Sequence, residues 1–60
     1  MKVYELLDNV EFQNTIHFCY YDYEDKEDLI MITEKEAENK TIRYIYTQND
    51  EIYIEVDMED

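Results

Sequence analysis

The strongest constraint on the fold is an alternation of apolar residues on both sides of a short polar segment near the C-terminus. Every second residue is apolar in two runs, which are Ile42, Tyr44 and Tyr46 before the segment and Ile52, Ile54 and Val56 after it. Side chains on a strand alternate between two faces, so each run predicts a strand with one apolar face. Together they predict a hairpin.

The length of the connecting loop decides which faces of this hairpin meet. A two-residue turn at Asn49 and Asp50 would place the two apolar runs on opposite faces. A three-residue loop over 48–50 instead gives the pairs Tyr46 with Ile52, Tyr44 with Ile54, and Ile42 with Val56. The same register gives two pairs on the outer face, Arg43 with Glu55 and Ile45 with Tyr53. Asn or Asp supplies the left-handed residue that such a loop needs, so we predict the three-residue loop.

The N-terminal half predicts a helix and a second hairpin. Val3, Leu6, Leu7 and Val10 form one apolar stripe at helical spacing. Residues 15–23 predict a strand with Ile16, Phe18 and Tyr20 facing inward and His17, Cys19, Tyr21 and Tyr23 facing outward. A charged loop follows, and residues 29–32 predict the returning strand.

A second helix is predicted after this hairpin. Thr33 and Glu36 have the spacing of a capping box, in which each side chain bonds to the backbone of the other residue. Ala37 would face the core, and Asn39 would end the helix in place of glycine.

We therefore expect one compact domain over residues 1–60 with an α+β fold in the order α-β-β-α-β-β. The fold would be a small, mostly antiparallel four-stranded sheet with one or two short helices on one face. The chain has no Gly and no Pro, which argues against a flexible linker. The uncovered face would carry Tyr21, Tyr23, Ile45, Tyr53 and one or both of Leu29 and Met31.

The charge restricts the partners. Seventeen acidic residues stand against five basic ones, for a net charge of −12. Direct binding to nucleic acid or to an anionic membrane needs a basic patch, which the sequence lacks. A basic nucleic-acid-binding protein, a cationic peptide or a metal ion is favoured instead. The single cysteine fits a reducing compartment, and no signal peptide or membrane span is recognisable, so we expect a cytoplasmic protein.

No catalytic or metal motif is apparent. His17 and Cys19 lie two residues apart on one predicted strand, without a third residue to orient the histidine or a Gly-containing oxyanion loop. The acids of 22–28 lack the central Gly and terminal Glu of a calcium-binding loop. The sequence predicts no enzyme, no cofactor and no built metal site.

The acids fall in three groups, at 22–28, 34–38 and 50–60. One interpretation is that they protect sheet edges and loops from pairing with other chains. Another is imitation of nucleic acid, because acids at alternate strand positions lie about 6.6 Å apart, close to the phosphate spacing of one strand. The net charge exceeds the magnitude of roughly 2–8 that solubility of a small domain requires, which favours imitation.

The size, the charge and the lack of an enzymatic motif resemble the small acidic proteins of phages and mobile elements, such as anti-CRISPR proteins and other DNA-mimic inhibitors. This resemblance implies an inhibitor that binds the nucleic-acid site of a protein such as a CRISPR effector nuclease in the host cytoplasm. From the residues themselves we expect partner contacts at Tyr21, Asp22, Tyr23, Glu24, Asp25, Glu27, Asp28, Glu34, Glu36, Glu38 and Tyr53. The alternative is an adaptor or assembly module that docks, or forms a homodimer, through a tyrosine-rich sheet face.

Overall fold

The computed structural model describes residues 1–22 and 28–58. The elements in chain order are α1 (Val3–Asn9), β1 (Ile16–Asp22), β2 (Asp28–Ile32), α2 (Glu34–Ala37), β3 (Thr41–Gln48) and β4 (Glu51–Asp57). The predicted α+β class, the element order and the mostly antiparallel four-stranded sheet are confirmed.

The strand order in the sheet is β2-β1-β4-β3. Each predicted hairpin is an antiparallel pair, and the two hairpins join through a parallel pairing of β1 with β4. Across this central pairing, Phe18 lies beside Ile54 and Ile16 beside Ile52. The two central strands therefore bring the apolar residues of both hairpins onto one face.

Both helices pack on that face. The buried core consists of Val3 from α1, Ala37 from α2, and Phe18, Ile54 and Val56 from the central strands. The shortest dimension of the molecule is 16 Å, which fits one sheet and one layer of helices at the usual spacing of about 10 Å. The fold thus has two layers, and the second face of the sheet lies away from both helices.

Local hydrogen bonds set the helix ends. The amide of Lys2 donates to Glu5 Oε1 at 3.0 Å, and α1 ends one residue before Val10, which is 44% exposed rather than part of the apolar stripe. The predicted capping box of α2 is confirmed, since the amide of Glu36 donates to Thr33 Oγ1 at 3.2 Å and the amide of Thr33 donates to Glu36 Oε1 at the same distance. Asn39 does not adopt the left-handed conformation that we expected there.

The prediction of a three-residue loop in the C-terminal hairpin is wrong. Asn49 and Asp50 form a two-residue turn with φ of 53° and 64°, and Gln48 pairs with Glu51 directly before and after it. Two successive residues with positive φ are typical of a type I′ turn, whose twist matches that of the flanking strands. Asn and Asp tolerate this conformation better than other residues with a side chain, so the turn forms without glycine.

A β-bulge at Arg43 restores the alternation that the shorter turn would otherwise reverse. Tyr46 pairs with Tyr53, Ile45 with Ile54 and Tyr44 with Glu55, and after a shift in register Ile42 pairs with Val56. A bulge inserts one unpaired residue into a strand, which changes the face of every residue beyond it. The predicted pair of Ile42 and Val56 is therefore confirmed, although the extra residue lies in β3 rather than in the loop.

In this register, several residues of β3 lie on the face of the sheet opposite to the predicted one. Tyr44 and Tyr46 lie on the face away from the helices instead of in the core, because they share a face with Glu55 and Tyr53. Ile45 lies on the helix side opposite Ile54, although it remains 49% exposed. The sheet consequently carries more tyrosine on its uncovered side than the sequence predicted.

Candidate interaction surface

The face of the sheet away from the helices is rich in aromatic residues, and we call it the tyrosine face. It consists of His17, Cys19, Tyr21, Leu29, Met31, Tyr44, Tyr46, Glu51, Tyr53 and Glu55. Its rim is open, since Tyr44 is 59% and Met31 50% exposed, whereas Cys19 and Glu55 at its centre are buried. The surface is therefore a shallow aromatic layer over a buried thiol and a buried carboxylate.

Three rings stack across three neighbouring strands. The ring centroids of His17 and Tyr53 are 4.8 Å apart and those of Tyr53 and Tyr46 are 5.6 Å apart, with an interplanar angle of 21° in both pairs. His17 Nε2 also lies 3.0 Å from Glu51 Oε1. Offset stacked rings at these distances stabilise a sheet surface beyond the area that they bury. Tyr53, one of the predicted contact residues, thus lies at the centre of this row.

Cys19 lies beneath the rings. Its thiol donates to the carbonyl of Ile54 at 3.7 Å, and its Sγ lies 3.9 Å from the hydroxyl of Tyr46. Burial raises the pKa of the Cys19 thiol. The hydrogen bond with Tyr46 lowers this pKa in part, and the nearby charge of Glu55 makes a smaller contribution that raises it. Burial, followed by the bond to Cys19, also raises the pKa of Tyr46 to about 12. Both groups therefore stay protonated at neutral pH.

An ionic contact lies on the same face. Glu55 is only 4% exposed, and its Oε2 lies 4.0 Å from Arg43 Nε. The guanidinium carbon of Arg43 is 5.9 Å from the centroid of the Tyr44 ring. The bulge places Arg43 beside both groups, so the predicted proximity of Arg43 and Glu55 is present, although Tyr44 is the residue paired with Glu55 in the ladder.

The structure separates the predicted contact residues into three places. Tyr21 lies on the tyrosine face opposite Leu29 and is 39% exposed. Asp22 and Asp28 pair with each other at the outer end of the first hairpin. The predicted residues Tyr23, Glu24, Asp25 and Glu27 lie outside the described part of the chain.

The acids of α2 occupy the opposite side of the sheet. Glu34 and Glu36 are exposed in the first turn, and the helix they belong to packs on the core through Ala37. Glu36 is engaged by Thr33, while Glu38 is half-buried and its carbonyl accepts the amide of Tyr4 at 3.0 Å. The five residues of β2 connect the hairpin end to this helix, a separation of about 13 Å along the strand.

Sequence reasoning placed Glu55 on this face but did not predict its burial, and it missed Tyr44 and Tyr46. The signal that would have found them is the Asn49-Asp50 dipeptide itself, because Asn and Asp at both central positions favour a two-residue turn. That turn pairs Tyr46 with Tyr53 and so places the tyrosines of both strands on one face.

The remaining chemical features of the described residues 1–22 and 28–58 are the buried thiol and the metal-ligating side chains. A thiol with a raised pKa and no exposed surface is the reverse of an activated cysteine nucleophile. No group of three or more metal-ligating side chains is positioned to hold an ion in these ranges. Over the same ranges, no helix has both the length and the apolar character needed to cross a membrane.

Comparison of the chain with models of protein families, with curated proteins and with solved structures finds no match.

Proposed function

We propose that this protein is an acidic inhibitor that imitates nucleic acid and occupies the basic nucleic-acid-binding site of another protein. The observation that carries the proposal is a net charge of −12 on a body only 33 Å long. A DNA duplex of that length carries about 19 charges, at one per ~1.7 Å, so the chain reaches roughly three fifths of its linear charge density. A CRISPR effector nuclease in the cytoplasm of a host cell is a target of this kind.

The position of the acids supports the same proposal. Exposed carboxylates occur on both helices, just after α1, at the end of the first hairpin and in the turn of the second, namely Glu5, Asp8, Glu11, Asp28, Glu34, Glu36 and Asp50. A partner with a basic channel would meet negative charge from several directions. Such a field accelerates association and makes it sensitive to salt.

The test begins with a partner captured on the immobilised protein from lysate of the source cells at low salt. The captured protein is then purified, and its binding is measured against duplex DNA and RNA as competitors. We expect competition by nucleic acid and a fall in affinity of at least about 100-fold between roughly 50 and 200 mM salt, because several Lys and Arg side chains are engaged.

Two variants of equal net charge locate the contact. One neutralises three acids of the segment 23–27 between β1 and β2 with Glu24→Gln, Asp25→Asn and Glu27→Gln, and the matched control neutralises three acids in and after α1. The control substitutions are Glu5→Gln, Asp8→Asn and Glu11→Gln. We expect the variant of segment 23–27 to lose at least ten times more affinity than the control. Mimicry is wrong if salt, nucleic acid and both neutralised variants leave the affinity unchanged.

A second candidate function is an adaptor or assembly module that docks through the tyrosine face. The specific observation in its favour is the exposure of Tyr44 and Met31 beside the stacked rings, on a face that neither described helix covers. Exposed aromatic surface of this type is enriched in protein interfaces. It predicts binding that persists at high salt, which is the opposite of the salt dependence expected for mimicry.

A further inference from the structure

The tyrosine face combines exposed apolar and aromatic side chains with one partly exposed carboxylate. Tyr44, Met31, Tyr21 and Leu29 expose between 38% and 59% of their surface around the stacked rings. Glu51 lies on the same face on the central strand β4, and 42% of its side chain is exposed, whereas Glu55 is buried beside Arg43. A partner on this face therefore meets aromatic ring surfaces and negative charge together.

Charge argues against a second copy of the chain as this partner. A symmetric face-to-face dimer with its two-fold axis near the central strand β4 would bring the Glu51 carboxylates of the two copies towards one another. Each copy also carries a net charge of −12, and the repulsion between two such chains opposes association. A cationic occupant removes both penalties.

The chain itself contains an example of the required chemistry. The guanidinium carbon of Arg43 lies 5.9 Å from the Tyr44 ring centroid, while Arg43 Nε lies 4.0 Å from Glu55 Oε2. One arginine thus contacts a ring and a carboxylate of this face at the same time. The planar guanidinium stacks on aromatic rings and bonds to carboxylates, whereas the compact, strongly hydrated ammonium of lysine is less suited to stacking.

We propose that the tyrosine face is a docking surface for arginine side chains of a basic protein partner, and that it prefers arginine to lysine. This inference rests on the proposed function, since it identifies the surface through which the acidic chain would hold its target. The acids at the hairpin end and on the helices would then contribute long-range attraction, and the tyrosine face would provide the close contacts.

The test uses a synthetic peptide of alternating arginine and serine and a second peptide with lysine in place of every arginine. The full-length, ¹⁵N-labelled protein is titrated with each peptide while its amide resonances are followed. We expect the arginine peptide to shift the resonances of Cys19, Tyr44, Tyr46, Tyr53 and Glu55, and to bind at least about three-fold more tightly than the lysine peptide.

Variants supply the matched comparison. Tyr44→Ser removes the most exposed ring of the face, and we expect it to weaken binding of the arginine peptide at least five-fold. Tyr4→Ser removes a ring of similar exposure, 46%, from α1, and should leave the affinity unchanged. Met31→Lys, at a position 50% exposed, keeps all rings but adds positive charge, and should also weaken binding. Circular dichroism verifies that each variant is folded.

Three outcomes would overturn the inference. Equal affinities for both peptides, with shifts confined to the acids of the helices and hairpin end, would reject the tyrosine face while leaving nucleic-acid mimicry intact. Failure of both peptides to bind at low salt would also reject it, and the competition experiment with a captured partner would still decide the proposed function. A dimer that persists at high salt in sedimentation equilibrium, and is lost in Tyr44→Ser, would assign the face to a second copy.

Discussion

The hydroxyl of Tyr46 lies 3.9 Å from Sγ of Cys19, so a side chain of edge strand β3 reaches across β4 to a thiol on β1. This contact links both hairpins on the side of the sheet that the helices do not cover. It exists because the two-residue turn places Tyr46 beside Tyr53 rather than in the core. Two measurable properties follow from it, the reactivity of the thiol and the pH dependence of stability.

Cys19 should be protected from alkylation in the folded protein. It has no exposed surface, and burial raises the pKa of its thiol, so the reactive thiolate is scarce. We expect iodoacetamide to modify the folded chain at least about ten-fold more slowly than the urea-unfolded chain, as followed by mass spectrometry. Tyr46→Ala should accelerate the reaction and Tyr4→Ala should not. Equal rates for the folded and the unfolded chain would show that the thiol is accessible.

Stability should fall at alkaline pH partly because of Tyr46. Its pKa is raised to about 12 in the folded protein, against an ordinary value near 10, so the folded state retains a proton that the unfolded state releases. The resulting stabilisation is complete below about pH 10 and is lost as the pH rises towards 12, with a slope of up to ~1.4 kcal/mol per pH unit.

Urea unfolding at a series of alkaline pH values measures this effect. Tyr46→Phe removes the titrating hydroxyl and should make the free energy of unfolding less steep in pH, whereas Tyr4→Phe should leave the slope unchanged. The Cys19 thiol contributes in the same direction, because its pKa is raised as well. An identical slope in the wild-type chain and in Tyr46→Phe would contradict the assignment to Tyr46.

The turn between β3 and β4 should be improved by glycine. Asp50 has a φ of 64°, a value that glycine adopts without the steric cost of a Cβ atom. We expect Asp50→Gly to be at least about 1 kcal/mol more stable than Asp50→Ala in urea unfolding. Both variants remove the same charge, and both keep the Asp50 carbonyl that accepts from Asn14 Nδ2 at 2.7 Å. Equal stability of the two variants would argue against the positive φ.

Arg43 should stabilise the buried carboxylate of Glu55. Glu55 is 4% exposed, and Arg43 Nε lies 4.0 Å from its Oε2. Arg43→Met therefore leaves the Glu55 carboxylate without its counter-ion and with little contact with solvent. We expect this substitution to lower the free energy of unfolding by about 1–2 kcal/mol, less than for a fully buried pair because Arg43 is partly exposed.

A double-mutant cycle separates this interaction from the loss of packing. Glu55→Gln should be destabilising in the wild-type chain and neutral or stabilising when Arg43 is already methionine. Arg43→Lys retains a positive charge and should cost less than Arg43→Met. The pair would be unimportant if Glu55→Gln had the same effect in both backgrounds.

The sequence predicted the local elements well because their signals lie within a few residues. The capping box at Thr33 and Glu36, the alternation in β1 and the apolar residues of β4 each depend on short-range geometry, and the structure confirms all three. The prediction that Val10 belongs to the apolar stripe of α1 is wrong. The helix ends at Asn9, and Val10 is not among the residues packed on the core.

The candidate surface was harder to predict because it depends on which residues of β3 face each side of the sheet. Both a three-residue loop and a bulge allow Ile42 to meet Val56, and the sequence pattern of β3 is compatible with either. Only the pairing of β3 with β4 shows that the extra residue is Arg43, which moves Tyr44 and Tyr46 away from the core. The tyrosine face therefore could not be assembled from periodicity alone.

The sequence by itself determined the number, type and order of the elements and the strongly negative charge, since these follow from composition and from patterns within each segment. Tertiary structure decided the order β2-β1-β4-β3 and the stacking of His17 on Tyr53. These features arise from contacts between residues more than thirty positions apart, and such contacts are selected by the packing of the whole sheet against its helices rather than by any local pattern.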